Sequence, residues 1–508
     1  MLPISSAHSP NSFFVRNVHI ICALIAGALL PLAFAPYQMP YLAVLSPMLL
    51  LWSIRRLTAR QAGFAGYAFG LGYFAHGVYW VYFSIHHFAH APLWLSLLIM
   101  LGMVAILACY MAALAYLLNR FFQANLGLRY LLAFPSLWLG LEVLRSLLFT
   151  GFPWLSLGYS QIDTPLSAVA PITGVFGISY LLALIAGALY CLLSRTGRAY
   201  KVTAVVVLLL IGSGSYRGHQ FNWSDDQGEP IKVALLQANI PQEIKWQPSF
   251  RQRSIDIYLQ MTRQQRDADL IVWPETAVPV FYHRVAESLM PILRQEAERF
   301  QSDIVFGVPV MSGESRAYYN ALHSVAYRDE FYFKRHLVPL GEYMPLKPFS
   351  TIILNFLQIP MSDFSAGSDQ QPLLKAGGYP FASSICYEDV FQQSSIDGLP
   401  EAAYLLNVSN DTWFGDTIAP YQHLQMARMR ALESGRYMLR ATNTGLTAII
   451  NQYGQITAQA PMFRRATLTG KLTPLAGATP FVKTGGYLIY VLLAGLLLLC
   501  LFKRDATR

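Results

Sequence analysis

Charge is spread so unevenly along this chain that its first two-fifths have very few folds open to them. Residues 1–215 carry only two acidic side chains, Glu142 and Asp163, beside ten basic ones, and the other 26 acidic residues all fall later. Between these sparse charges run apolar stretches of about 20 residues, the length a helix needs to cross a bilayer. Lipid offers backbone N–H and C=O groups no partner, so such stretches are restricted to helix. We place spans at 18–36, 40–54, 62–84, 92–118, 130–149, 166–193 and 201–216, with an eighth at 485–502. The second is short and contains Pro47. A hydrophobic share of 54% against 13% charged residues excludes both an ordinary soluble protein and a disordered one.

The basic residues set the orientation, because short cytoplasmic loops collect Lys and Arg. Arg16 precedes the first span, Arg55, Arg56 and Arg60 follow the second, and Arg120 and Arg129 follow the fourth. Arg195, Arg198 and Lys201 follow the sixth, and Lys503, Arg504 and Arg508 follow the eighth. The loops between, near 37–39, 85–91 and 150–165, hold no Lys or Arg. Both termini are therefore expected in the cytoplasm, and the long segment between spans seven and eight outside it. The net charge of +9 then reports topology, and no nucleic-acid partner is expected. Ala33-Phe34-Ala35 has the look of a signal-peptide cleavage site, but the apolar run is long and Pro36 follows directly, so retention of the first span is expected. The expected division is a seven-helix membrane domain at 1–216, an extracytoplasmic domain at 217–484, and an eighth helix with a short cytoplasmic tail at 485–508.

Residues 217–484 have soluble character. Strands are expected at 231–238, 269–273, 303–309, 321–327, 381–387 and 403–408, and helices at 250–265, 284–300 and 421–433. Strands alternating with helices imply an α/β domain whose chemistry sits at strand ends. The stretch 341–369 differs: it has three prolines and an apolar centre at 352–359, and reads either as a core helix under a lid or as a mobile arm whose apolar side touches lipid.

Four cysteines, Cys22, Cys109, Cys191 and Cys500, fall inside expected spans and behave there as small hydrophobes. Cys386 alone lies in the extracytoplasmic domain, without a disulfide partner, at the end of an apolar strand and followed by Tyr387, Glu388 and Asp389. Taken singly it is also consistent with a buried strand cysteine. Glu275 follows an apolar strand and a rigid Trp273-Pro274 step, and by itself is equally a helix cap. Lys334 opens the run Lys334-Arg335-His336-Leu337-Val338-Pro339 and by itself is equally a solvated cation. Together the three supply a base, a cation and a nucleophile, spaced by 59 and then 52 residues.

The order WPE, then K with HLVPLGE, then CYED resembles the Glu-Lys-Cys signature of the nitrilase, or carbon-nitrogen hydrolase, superfamily. The whole arrangement is similar to the apolipoprotein N-acyltransferase family: QANIPQ at 237–242, WPETAVP at 273–279, KRHLVPLGE at 334–342, SICYED at 384–389 and NVSNDTWFG at 407–415, with TGFPW at 150–154 and GYSQ at 158–161 in the membrane part. The resemblance implies an αββα sandwich and a catalytic set of Glu275, Lys334 and Cys386, with Glu342, Tyr387 and Glu388 in support. It implies Cys386 as nucleophile through a thioester, Glu275 as proton acceptor, and Lys334, with the backbone N–H of Tyr387, as oxyanion stabiliser. It further implies a membrane phospholipid as acyl donor, a diacylglyceryl apolipoprotein as acceptor, no cofactor, and a multi-pass enzyme of the bacterial inner membrane with its catalytic domain in the periplasm. A monomer is expected. Rival readings are a membrane-tethered nitrilase or amidase in which water resolves the thioester, and a transporter or receptor with an inactive nitrilase-like sensor domain.

Trp246, Tyr343, Trp413 and Phe414 are candidates for packing against acyl chains, each with a core role equally open. Glu142 and Arg145, three apart on one expected helix, read as a structural pair or as a contact to a lipid headgroup. His86, His87 and His90 form an H-H-x-x-H cluster without a neighbouring carboxylate or thiol, and no metal site is expected there.

Overall fold

The computed structural model describes residues 10–313, 317–326, 330–339, 341–343 and 363–505. The body of the 341–369 stretch, with its apolar centre, lies outside them.

A helix occurs at each of the eight expected positions. Four are long and apolar enough to cross a membrane: Leu93–Phe121, Leu126–Thr150, Pro165–Leu193 and Arg198–Gly218. Asn17–Ala33, Leu42–Ile54 and Leu488–Lys503 are shorter apolar helices. Ala59–Gly77 carries a capping box, in which Thr58 and Gln61 exchange hydrogen bonds, and it ends at Val78. The expected third span is therefore interrupted: the chain restarts as Trp80–Phe83 and a single wide turn, Ser84–Phe88. The helix from 126 contains one wide turn, Arg129–Ala133, just before Pro135, whose missing N–H breaks the regular ladder.

Among the described residues, twelve strands form two six-stranded sheets, and Asp225–Asp226 pairs separately with Leu475–Ala476. In chain order they are β1 (Ile231–Gln237), β2 (Leu270–Val272), β3 (Asp303–Met311), β4 (Tyr318–Ser324), β5 (Phe331–Phe333), β6 (Leu374–Ala376), β7 (Tyr379–Ile385), β8 (Tyr404–Ser409), β9 (Met438–Thr442), β10 (Ala448–Ile450), β11 (Ile456–Gln459) and β12 (Ala466–Leu472). One sheet runs β12-β1-β2-β3-β4-β5 and the other β11-β10-β9-β8-β7-β6. Their facing sides share one core, in which Val233, Leu235, Val272 and Val305 meet Phe381, Ile385, Leu406 and Leu439. The outer face of the first sheet is covered by helices Pro248–Thr262 and Tyr282–Phe300, through residues such as Ile255, Tyr258, Leu289 and Leu293. Helix Ala419–Ser434 covers the second through Leu424, Ala427 and Ala431. The result is an αββα sandwich.

Helix Ala419–Ser434 has no exposed side, because its far face seats on the membrane helices. Met426, Met429 and Leu432 join the same core as Phe74, Trp154 and Val175. Glu433 accepts from the backbone N–H of Val175 at 2.6 Å, and Trp154 donates its indole N–H to Gln422 at 2.7 Å.

Candidate active site

All three signature side chains stand just past the C-terminal ends of short strands: Glu275 after β2, Lys334 after β5 and Cys386 after β7. The first two belong to one sheet and the third to the other, so stacking the sheets brings them together. Glu275 is positioned by the step before it. Trp273 is fully buried, stacks on Tyr258 with ring centres 5.2 Å apart and donates to Thr262. The chain then turns over Gly307 of β3, where an added Cβ would lie 2.6 Å from the Thr276 nitrogen and 2.8 Å from the Glu275 Cα. Only glycine admits that approach. Cys386 (φ +52°) and Thr276 (φ +46°) both hold left-handed backbone, a strain of about 1–3 kcal/mol each that the surrounding packing maintains.

Lys334 Nζ lies 2.8 Å from Glu342 and 3.9 Å from Glu275. Asn320, on β4 between these groups, donates from Nδ2 to Glu275 Oε1 at 2.7 Å and to Glu342 Oε1 at 3.4 Å. Burial opposes the charge on Lys334, but the Glu342 and Glu275 carboxylates outweigh it and raise its pKa, so the ammonium is firmly held. Burial pushes the Glu275 carboxyl upward, with Lys334, Asn320 and Lys245 pulling the other way. Burial also pushes the Cys386 thiol up, aided by the Glu275 charge and opposed by Lys334. Burial therefore favours the neutral form of both Glu275 and Cys386, and Lys334 favours the charged form of each.

Glu388 ties the Cys386 turn to the Lys334 segment. Its Oε1 accepts from the backbone N–H groups of Arg335 (2.7 Å) and His336 (3.1 Å), and its Oε2 accepts from Ile385 N (2.7 Å) and Tyr332 Oη (3.0 Å). Tyr387 donates its hydroxyl to the Gly151 carbonyl at 3.3 Å and stacks on Trp154, both in the membrane part. Below the turn lies a wholly buried polar cluster. His423 bridges Asp389 (2.7 Å) and Asp411 (3.1 Å), and Arg440 bonds Asp389, Asp411 and Asn407. Asn407 in turn donates to the Cys386 carbonyl at 3.3 Å.

Two family models match the chain, an apolipoprotein N-acyltransferase N-terminal domain over residues 26–188 and a carbon-nitrogen hydrolase over residues 232–481. The apolipoprotein N-acyltransferase of Methylococcus capsulatus is 46% identical over 487 residues, 96% of each chain. The chain belongs to the apolipoprotein N-acyltransferase family. The relatives from Pseudomonas aeruginosa and Nitrosomonas europaea are each 43% identical, over 94% and 96% of this chain and 94% and 97% of theirs. Among solved structures, Saccharomyces cerevisiae Nit3 of the nitrilase superfamily superposes with a TM-score of 0.37 at 18% identity, covering 49% of this chain and 91% of its own.

The remaining candidates are dispersed. Phe414 packs edge-on against Trp80 and contacts Trp154 and His423 at the seam between membrane helices and sandwich. Trp413 lies beside Phe88, with its carbonyl held by Ser84. Trp246 is half-buried at the end of the one-turn helix Gln242–Lys245, and Tyr343 reaches Thr150 at 3.4 Å. Glu142 and Arg145 are buried but do not pair: among the described residues no ion pair joins them. Glu142 accepts from Trp138 Nε1 and Leu157 N, both at 2.9 Å, while Arg145 donates to the carbonyls of Phe152 (3.0 Å) and Trp154. Buried loop backbone groups need such partners, and Glu142 and Arg145 each supply hydrogen bonds to the 152–157 loop. Asn320, His423 and Arg440 did not stand out in the sequence, whereas Asn407 opens the NVSNDTWFG motif. A lone Asn inside the strand YYNALHS was the one available signal for Asn320. Among the described residues no group of His, Cys, Asp or Glu is arranged to hold a metal.

Proposed function

We propose that this chain is an apolipoprotein N-acyltransferase that moves an acyl chain from a membrane phospholipid, through a thioester on Cys386, to the α-amine of the diacylglyceryl cysteine opening an apolipoprotein. The observation that carries this reading is full-length identity to acyltransferases combined with a buried Glu275–Lys334–Cys386 set at the seam with the apolar helices. Cys386 Sγ attacks the ester carbonyl as Glu275 takes the thiol proton, and Lys334 balances the oxyanion. The C–O bond breaks, the proton passes from Glu275 to the departing lysophospholipid oxygen, and the thioester remains. The amine then attacks, Glu275 accepts a proton from the nitrogen, the C–S bond breaks and the proton returns to sulfur.

For the surroundings of this chemistry we propose eight spans in an inner membrane, both termini cytoplasmic, and a periplasmic sandwich between spans seven and eight. Alternating basic loops support that orientation. Trp246, Tyr343, Trp413 and Phe414 are proposed to line the acyl path, and Glu142 and Arg145 to hold the loop that Tyr387 rests on.

Purified protein mixed with phospholipid labelled in its acyl chain is expected to retain hydroxylamine-sensitive label on Cys386 and to lose it in Cys386→Ala. Adding a diacylglyceryl-cysteine peptide is expected to discharge the label onto the peptide amine. Wild-type protein without label refutes the thioester route, and discharge to water alone favours the hydrolase.

A further inference from the structure

The site holds a buried cation that the reaction scheme does not use. Lys245 ends the one-turn helix Gln242–Lys245 that follows β1, and its side chain is buried. Its Nζ donates to Thr276 Oγ1 at 2.7 Å and to the backbone carbonyl of Glu275 at 3.3 Å. The Thr276 it grips is one of the two left-handed, non-glycine residues of the site.

Counting charge explains what a buried ammonium does there. Glu275 and Glu342 are linked through one amide, that of Asn320, and share one ammonium, that of Lys334. Two carboxylates sharing one cation in a dry site favour retention of a proton on one of them. A proton on Glu275 would abolish its role as base. Lys245 brings a second cation to this pair of linked glutamates and opposes that retention.

We infer that Lys245 is a positioning residue of the acyl-transfer site, which holds the Glu275 loop through the Thr276 hydroxyl and the Glu275 carbonyl and sets a positive charge beside that base. This rests on the reading of Glu275 as the base. The titratable groups facing Glu275 are Lys334 and Glu342 from the segment after β5, Cys386 from the turn after β7, and Lys245. Burial lowers the Lys245 ammonium to about 8 against the pull of Glu275, which leaves it charged at neutral pH.

The test compares Lys245→Gln and Lys245→Met with wild type in the full-length protein. The readout is the single-turnover rate of hydroxylamine-sensitive labelling of Cys386 as a function of pH. Gln keeps a donor for Thr276 without the charge, so Lys245→Gln is expected to move the acidic limb up by about one pH unit or more, as losing a nearby charge in a dry site does. Lys245→Met is expected to show the same displacement and a lower plateau. An acidic limb at the wild-type position in folded Lys245→Gln overturns the inference. Failure of both variants to accumulate as folded protein also overturns it, by assigning Lys245 a structural role. Glu275→Gln, measured in parallel, separates the two readings: labelling at the wild-type rate there refutes Glu275 as base, whatever Lys245 does.

Discussion

Lys334 Nζ lies 2.8 Å from each carboxylate oxygen of Glu342, closer than the 3.9 Å that separates it from Glu275. The cation expected to stabilise the oxyanion is therefore anchored by the glutamate outside the signature triad, which leaves Glu275 free to exchange protons. Glu342 itself is fixed by the Val338 N–H at 2.9 Å, on the loop that also carries it.

Replacing that anchor isolates its contribution. Glu342→Gln is expected to slow Cys386 labelling about 10- to 100-fold, the equivalent of one hydrogen bond to a charged group. The comparison is single-turnover labelling at saturating phospholipid, with thermal unfolding in detergent as the control for folding. Unchanged labelling would remove Glu342 from the site's machinery.

Asn320 predicts a pH effect of definite sign. Its amide donates to the Glu275 carboxylate and so favours the ionised form. Asn320→Leu deletes that bond, the pKa of Glu275 rises further above its ordinary value, and the acidic limb of the labelling rate moves to higher pH. The loss is therefore largest at the acidic end and fades as pH rises. A uniform loss at every pH would point to disturbed packing instead.

Gly307→Ala tests the close approach behind Glu275. The new methyl would sit 2.7 Å from the Pro274 carbonyl and 2.8 Å from the Glu275 Cα, so the loop must shift. Overpacking of this kind costs about 1–3 kcal/mol. A modest fall in thermal stability is expected, with a larger fall in labelling; wild-type labelling would show that the loop position is not critical.

Arg440→Met leaves Asp389 and Asp411 facing each other without their guanidinium in a fully buried cluster. Breaking such a pair from one side costs about 3–5 kcal/mol. We expect a lowered unfolding temperature in detergent and reduced recovery of folded protein. Near-native stability would mean that His423 alone neutralises the cluster.

The legible parts of this molecule were those with a local cause. Glu275, Lys334 and Cys386 each follow an apolar strand, so their position at a strand end could be read from the residues beside them. Strand β4 was expected at 321–327 but spans Tyr318–Ser324, because its antiparallel register with β3, pairing Met311 with Tyr318, extends it toward the turn. Strands β5, β6 and β9 to β12 were not anticipated; β5, β6 and β10 are only three residues long, too short to show a period. β9 buries Arg440, while β11 and β12 are sheet-edge strands rich in polar residues, and none of these three presents an apolar run. Their pairing comes from neighbouring strands, not from their own side-chain pattern.

What the sequence determined alone is that apolar helices and an α/β unit share one chain, that a single thiol stands outside the expected spans, and that a carboxylate and a lysine recur at strand ends. These follow from hydropathy, period and residue type, which act over a few residues. Only the tertiary structure decided that Lys334 belongs to Glu342 more closely than to Glu275, that Asn320 joins the two glutamates, that Lys245 lies under the Glu275 loop, and that Arg145 serves a loop rather than Glu142. Each is a contact between segments distant in sequence or between competing partners. Its outcome depends on how two sheets and a helical bundle stack, since a buried charge binds whichever opposite charge or carbonyl packing sets beside it.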